Sequence, residues 1–186
     1  MAKVSIRDIQ FDEKKFKELV VYVAGKCSGD PGYGSLKLNK ILFYADFITY
    51  GQLGKPITGV PYFRLPQGPA PRPMMPIRET MEKDGDIAIQ KKVRFGHEQH
   101  RVVPLREADL AEFTAQEIAI VDEVIEGACG ATGTDLALMS HHETGVKIAN
   151  LKEDIPYETV FICDEPLDES EIQHGLQLAK QYGWAI

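Results

Sequence analysis

Residues 37–71 read KLNKILFYADFITYGQLGKPITGVPYFRLPQGPAP, and the reading of this stretch decides the fold. Its first half has helical spacing: Leu38, Ile41, Leu42, Ala45 and Ile48 fall on one side, with Lys37, Lys40 and Tyr44 three or four apart on another. Gly51 and Gly54 are expected to end that helix. Beyond them the period changes. Ile57, Thr58, Val60 and Tyr62 favour extended backbone, but Pro56, Pro61 and Pro66 lack the N–H that a central ladder needs, which predicts an edge strand or an ordered loop. Pro66, Pro69, Pro71, Pro73 and Pro76 then fix φ along a stiff ribbon.

A stiff ribbon beside a helix makes a groove. Lys40, Tyr44 and Asp46 come from the helix, Tyr62 and Arg64 share one face of the extended chain, and Gly68, Pro69 and Pro71 form the turn that follows. Tyrosine and arginine combine contact area with directional donors, so these residues are candidates for binding a partner. The alternative keeps the aliphatic residues as core, Lys37 and Lys40 solvated, and the prolines structural.

The flanks predict a mainly helical α+β single domain, with a small antiparallel β-hairpin and the proline-rich extended segment. Asp12 is a plausible N-cap for a helix over 12–26 bearing Phe16, Leu19, Val20 and Val23, which GDPGYG at 29–34 then breaks. A short helix is expected over 77–83, ended by Asp84-Gly85. Ile87, Ile89 and Val93, then Val102, Val103 and Leu105, flank FGHEQH as a hairpin with Lys91, Lys92, Arg94 and Arg101 pointing outward. Thr114-x-x-Glu117 is a capping-box pattern for a helix ending near Gly127. Shorter helices are expected over 135–140 and 143–150. A final helix starts at Asp168 and carries Ile172, Leu176 and Ala179. No linker divides the 186 residues, so one domain over 1–186 is expected.

Composition excludes little but orients the search. The chain is 44% hydrophobic, and no apolar run approaches the roughly 18 residues of a membrane span. The N-terminus lacks the pattern of a signal peptide, so the cytoplasm is the expected location. Cys27, Cys129 and Cys163 stand far apart and are expected to be buried, inert thiols. His97 with His100, and His141 with His142, are two remote pairs rather than a convergent metal site, so no metal or cofactor is expected. GATGTD at 130–135 lacks the lysine of a phosphate loop and reads as a flexible helix connection. Charge is polarised: Lys and Arg exceed Asp and Glu through Arg106, and the reverse holds strongly from Glu107 onward. The halves can neutralise each other by packing, or the acidic half can face a basic partner.

LNKILFYADF at 38–47, GKPITGVPY at 54–62 and GPAP at 68–71 resemble the Panacea domain, the SocA-like antitoxin domain family. LALMSHHETGVKIA at 136–149 resembles the family's second signature, which adds His141 to the candidate partner-binding residues; Val146 stands where that signature usually has tryptophan. The resemblance implies a bacterial or phage antitoxin that neutralises a cognate protein toxin by direct binding, with no catalytic residues. In one branch it implies a proteolytic adaptor serving an ATP-dependent protease. Two other readings stay open at this point. A nucleic-acid-associated regulator would use Lys91, Lys92, Arg94 and Arg101, with Phe95 stacking on a base. An enzyme would use His141 with a cysteine or acid brought close by folding.

Overall fold

The computed structural model describes residues 9–94, 97–162 and 168–183; for Arg94 and His97 the backbone alone is described. The expectations for residues 1–8, Phe95, Cys163 and the Arg94 and His97 side chains lie outside the described residues. Among the described residues, helices dominate and the strands form two separate two-stranded antiparallel sheets, the mainly helical α+β class the sequence predicts.

Helix α1 (Glu13–Lys26) begins at Asp12, whose carboxylate accepts from Lys15 N, and it buries Phe16, Leu19, Val20 and Val23. Helix α2 (Ser35–Leu53) runs through the centre and contacts α1 and several later elements, both hairpins among them. Gly51 lies inside it. Gly54, in the left-handed region, is the residue that ends it, its N–H bonding to Tyr50 O.

The segment expected as an edge strand or an ordered loop is part of a hairpin, and Gly68–Pro71, expected as a turn, is its second strand. Strand β1 (Tyr62–Leu65) pairs with β2 (Gly68–Pro71) through a two-residue loop, Pro66-Gln67, with Tyr62 opposite Pro71 and Arg64 opposite Pro69. The other edge of β1 takes the chain at 152–155: Arg64 N donates to Glu153 O, Lys152 N to Arg64 O and Ile155 N to Tyr62 O. The prolines therefore occupy the outer strand, where a missing donor costs no ladder bond.

Helix α3 (Met74–Lys83) leads to the second hairpin, β3 (Ile87–Arg94) and β4 (His97–Pro104), which packs on α1 and α3. Helix α4 (Ala115–Gly127) carries the predicted Thr114/Glu117 capping box. GATGTD is more ordered than expected, because Thr132 and Asp135 form a second capping box that starts α5 (Gly133–Ser140). Then follow α6 (Thr144–Ile148), a 3-10 turn (Tyr157–Phe161) and α7 (Glu169–Tyr182), capped by Asp168.

Helix α2 departs most from a simple amphipathic reading. It is buried on nearly every side, and the lysines assigned to solvent in one reading are enclosed: Lys37 and Lys40 each keep 1% exposure. The cause is the wrapping of later chain around the helix. Lys37 Nζ meets Asp30 Oδ2 at 2.6 Å, Ala128 O at 2.6 Å and Ala131 O at 2.8 Å, so one cation ties the GDPGYG loop to the α4–α5 connection. Arg101 is a second correction. Expected outward on the hairpin, it is buried over the Tyr33 ring and donates to Ser28 O and Asp30 O at 2.9 Å each. Two cations thus hold one loop, both through Asp30, and part of the predicted basic face becomes interior.

Removing a buried cation leaves its acceptors unpaired. Lys37→Met is expected to lower unfolding free energy by about 3 kcal/mol in urea titration, whereas exposed Lys92→Met should change it by less than about 0.5 kcal/mol.

Candidate partner-binding site

The helix–hairpin junction is built on a carboxylate that has no water to turn to. Asp46 is fully buried on α2 and accepts three hydrogen bonds: from Thr58 N at 2.8 Å, Thr58 Oγ1 at 2.6 Å and Tyr62 Oη at 2.9 Å. Two of these come from the segment after the helix and one from β1, so the interaction sets the angle at which the chain returns. Tyr157 closes the same layer, its hydroxyl donating to Val60 O at 2.7 Å and its ring stacked on Phe47 at 4.7 Å. Phe43 packs edge-on to Tyr62 at 5.5 Å.

A second polar tie lies one helical turn and a half earlier. Lys40 Nζ donates to Pro69 O at 2.8 Å and holds β2 against α2. Gly68, at φ +84°, passes so close that an added Cβ would lie 2.4 Å from Ser140 Oγ and 2.8 Å from Lys40 Nζ. Glycine is required there on both counts, backbone hand and space. On the far edge, Arg64 donates to Ala149 O at 2.7 Å, while Arg72 pairs with Asp154 and lies 4.6 Å over the Phe63 ring. Helix, ribbon and the 149–155 chain are therefore one clamped unit.

The candidate residues divide by burial. Lys40, Asp46, Tyr62, Gly68, Pro69 and Pro71 are buried, and Tyr44, Arg64 and His141 are half-buried. The first group has little surface of its own, so Lys40 and Tyr62 are not presented in the open groove that the sequence suggests. They face inward because α2 and α5 pack directly on β2. What remains between α2 and the hairpin is a cleft of about 280 Å³, lined by Leu36, Asn39, Lys40, Gln67 and Pro69. Tyr44 follows Lys40 by one turn on α2, its hydroxyl pushed up by burial and by Glu143. Exposed apolar side chains lie instead on the chain that flanks the hairpin: Leu138 on α5, Ile148 on α6 and Leu151 just before the strand-like segment.

Thr58 and Tyr157 are the working residues that motif reading missed. An aspartate in the middle of an apolar helix signals that donors must come to it, and Thr58 and Tyr62 were the nearest candidates. Tyr157 carried no such signal.

The other chemistry behaves variously. Cys27 is buried as expected, whereas Cys129 is exposed. Among the described residues no group of His, Cys, Asp and Glu is arranged to hold a metal ion. His100 lies in β4 with its ring bonded to Glu98, which also meets Lys91. An open cleft of about 720 Å³ lies between Ser35, Arg78, His100 and Thr132; its Lys37 is already committed to Asp30.

Burial pushes the Lys40 ammonium down to about 7 and, against its hydrogen bonds, the Asp46 carboxyl up to about 6. Between about pH 7 and 10.5 the unfolded chain keeps a Lys40 proton that the folded chain has shed, so stability should rise with pH there. Between 3.8 and about 6 the folded chain keeps an Asp46 proton that the unfolded chain has shed, so stability should fall as pH rises. Unfolding titrations of Lys40→Met and Asp46→Asn against the parent should each erase one of these slopes. Gly68→Ala is expected to cost more than about 3 kcal/mol, and Gly85→Ala, also left-handed but in open space, about 1 kcal/mol in the same assay.

Residues 38–145 match the family model described as antitoxin SocA-like, Panacea domain, a span that covers more than half the chain, contains Asp46, Thr58 and both strands of the first hairpin, and stops just before Val146. Neither the curated proteins nor the solved structures yield a match. The chain belongs to the SocA-like antitoxin, Panacea domain family.

Proposed function

We propose that this protein is an antitoxin-like binding module that neutralises a cognate protein toxin by direct contact and has no catalytic role of its own. The reading is carried by one observation beside the family membership: the matched segment is an immobilised platform, and the elements clamped to it expose Leu138, Ile148 and Leu151. A docking surface on rigid elements loses little conformational freedom on binding, and apolar anchors within a polar surround are the usual source of affinity. In this reading the buried residues of the motif, Asp46, Tyr62, Lys40, Gly68, Pro69 and Pro71, brace the surface. Arg64 and His141, half-buried at its edge, contribute its polar contacts. An adaptor role follows if the bound toxin is handed to an ATP-dependent protease.

A nucleic-acid role is disfavoured by two of its own residues: Arg101 is occupied inside the fold and Lys91 is paired with Glu98. The overall charge of −7 works against phosphate contact as well.

Co-expression with the product of the adjacent gene tests the proposal. The parent chain is expected to restore growth. Ile148→Asp with Leu151→Asp should abolish rescue and weaken the purified complex at least 100-fold while leaving the thermal transition in place. Rescue unaffected by this pair removes that surface from the interface. Toxin lifetime with and without the protease then separates blocking from delivery: blocking leaves the lifetime unchanged, and delivery shortens it.

A further inference from the structure

Two lysines about a turn apart on α2 are buried alike and provided for unequally. Lys37 meets the Asp30 carboxylate and two carbonyl oxygens, whereas Lys40, also 1% exposed, spends one of its N–H groups on Pro69 O. Among the described residues no carboxylate pairs with Lys40. Asp46 on the same helix is bonded to Thr58 and Tyr62, Asp135 on α5 is bonded to Thr132, and Arg64 on β1 and His141 after α5 bring no negative charge. Burial is accordingly the cause that pulls its ammonium down to about 7. The cleft of about 280 Å³ between α2 and the first hairpin opens against this lysine. Leu65, Pro66 and Ala70 give the cleft apolar walls, and beside Lys40 the Asn39 Oδ1 is covered and lacks a hydrogen-bond donor. Gly68 keeps the space next to the ammonium clear of side chain, since a Cβ there would lie 2.8 Å from Nζ.

We propose that this cleft binds an α-amino-acid unit by its carboxylate, with Lys40 as the counter-ion, Asn39 Oδ1 accepting from the unit's N–H, and a short aliphatic side chain against Leu65, Pro66 and Ala70. A buried cation without an anion and a neighbouring carbonyl oxygen without a donor are together the complement of a carboxylate that carries an N–H two bonds from its carbon. A free amino acid has that chemistry, and so does the last residue of a peptide chain. The cleft is smaller than the sites of drug-sized ligands, so it admits one such unit and no folded surface, in keeping with the small exposure of Lys40. Away from water a charge-assisted bond to the ammonium is stronger than the same bond at the surface. Because the empty site releases the Lys40 proton near pH 7, capture of a carboxylate above that pH takes a proton up. The site is separate from Ile148 and Leu151, so the inference does not rest on the toxin reading.

Titration calorimetry of the full chain, with no toxin present, is the test, and its probes are leucine, N-acetylleucine and N-acetylleucine amide. At least one of the two acids is expected to bind with a dissociation constant on the order of 1 mM or below, and the amide at least about tenfold more weakly. Binding of leucine assigns the site to free amino acids, and binding of N-acetylleucine alone assigns it to chain ends; either upholds the carboxylate. At about pH 8.5 the heats in two buffers of different ionisation enthalpy should differ by the uptake of about one proton, which a lysine that merely braces the hairpin would not give. Lys40→Met should remove both the binding and the proton uptake. Gln67→Glu, on the exposed hairpin loop at the cleft, should weaken binding about tenfold by bringing a like charge to its mouth, and it decides the matter should Lys40→Met fail to fold. No binding of either acid at about 10 mM overturns the inference. So does an amide that binds as well as its acid, binding without proton uptake, a folded Lys40→Met chain with the parent's affinity, or a Gln67→Glu chain that binds as the parent does.

Discussion

The structure depends on Asp46 finding donors in the interior. A carboxylate at the centre of a buried helix is tolerable only if its oxygens are satisfied, and here Thr58 and Tyr62 satisfy them. That requirement acts at a distance along the chain. It forces the segment after α2 to double back, brings Tyr62 to the start of β1, and so places the hairpin where Lys40 can reach Pro69 O. Breaking the first contact would release the second.

Helix α2 carries this logic along its length. Lys37, Lys40 and Asp46 each leave an otherwise apolar rod to make a specific polar contact with a different later segment: the GDPGYG loop and α4–α5 connection, the β2 strand, and the 57–62 turn. Hydrophobic packing alone would let a helix rotate or slide by a residue at little cost. Three buried polar side chains with separate partners fix both rotation and register, because any shift strands a charge or dipole in the interior. Arg101 adds to the same end from the second hairpin.

Local chemistry made much of the fold readable. Asp12, Thr114 and Asp168 announced their helices because a cap is a contact within four residues. The second hairpin declared itself by alternation and a loop. The family likewise was visible in the 38–71 motif and is upheld by the match over 38–145. What escaped was whatever depended on distant chain. Lys37 and Lys40 look like solvent residues until Ala128, Ala131 and Pro69 arrive from elsewhere, and Arg101 looks outward until the 28–30 carbonyls cover it. For the candidate site, the motif named residues that matter but assigned several to the surface, since a stiff ribbon with Tyr and Arg looks the same whether it meets a partner or the protein's own α2 and α5. Thr58 could be inferred from Asp46; Tyr157, a hundred residues on, could not.

The prolines of β2 have one more effect. Pro69 and Pro71 stand opposite Arg64 and Tyr62, whose own polar groups turn away toward the chain at 152–155, so the outward side of β2 at these positions offers no amide hydrogen. Its Pro69 carbonyl is already taken by Lys40. No foreign strand can extend the sheet along that border. The ribbon is thereby sealed against the backbone-to-backbone zippering through which exposed strands aggregate, and any protein it engages must be chosen by side-chain shape rather than by the generic grammar of the peptide bond.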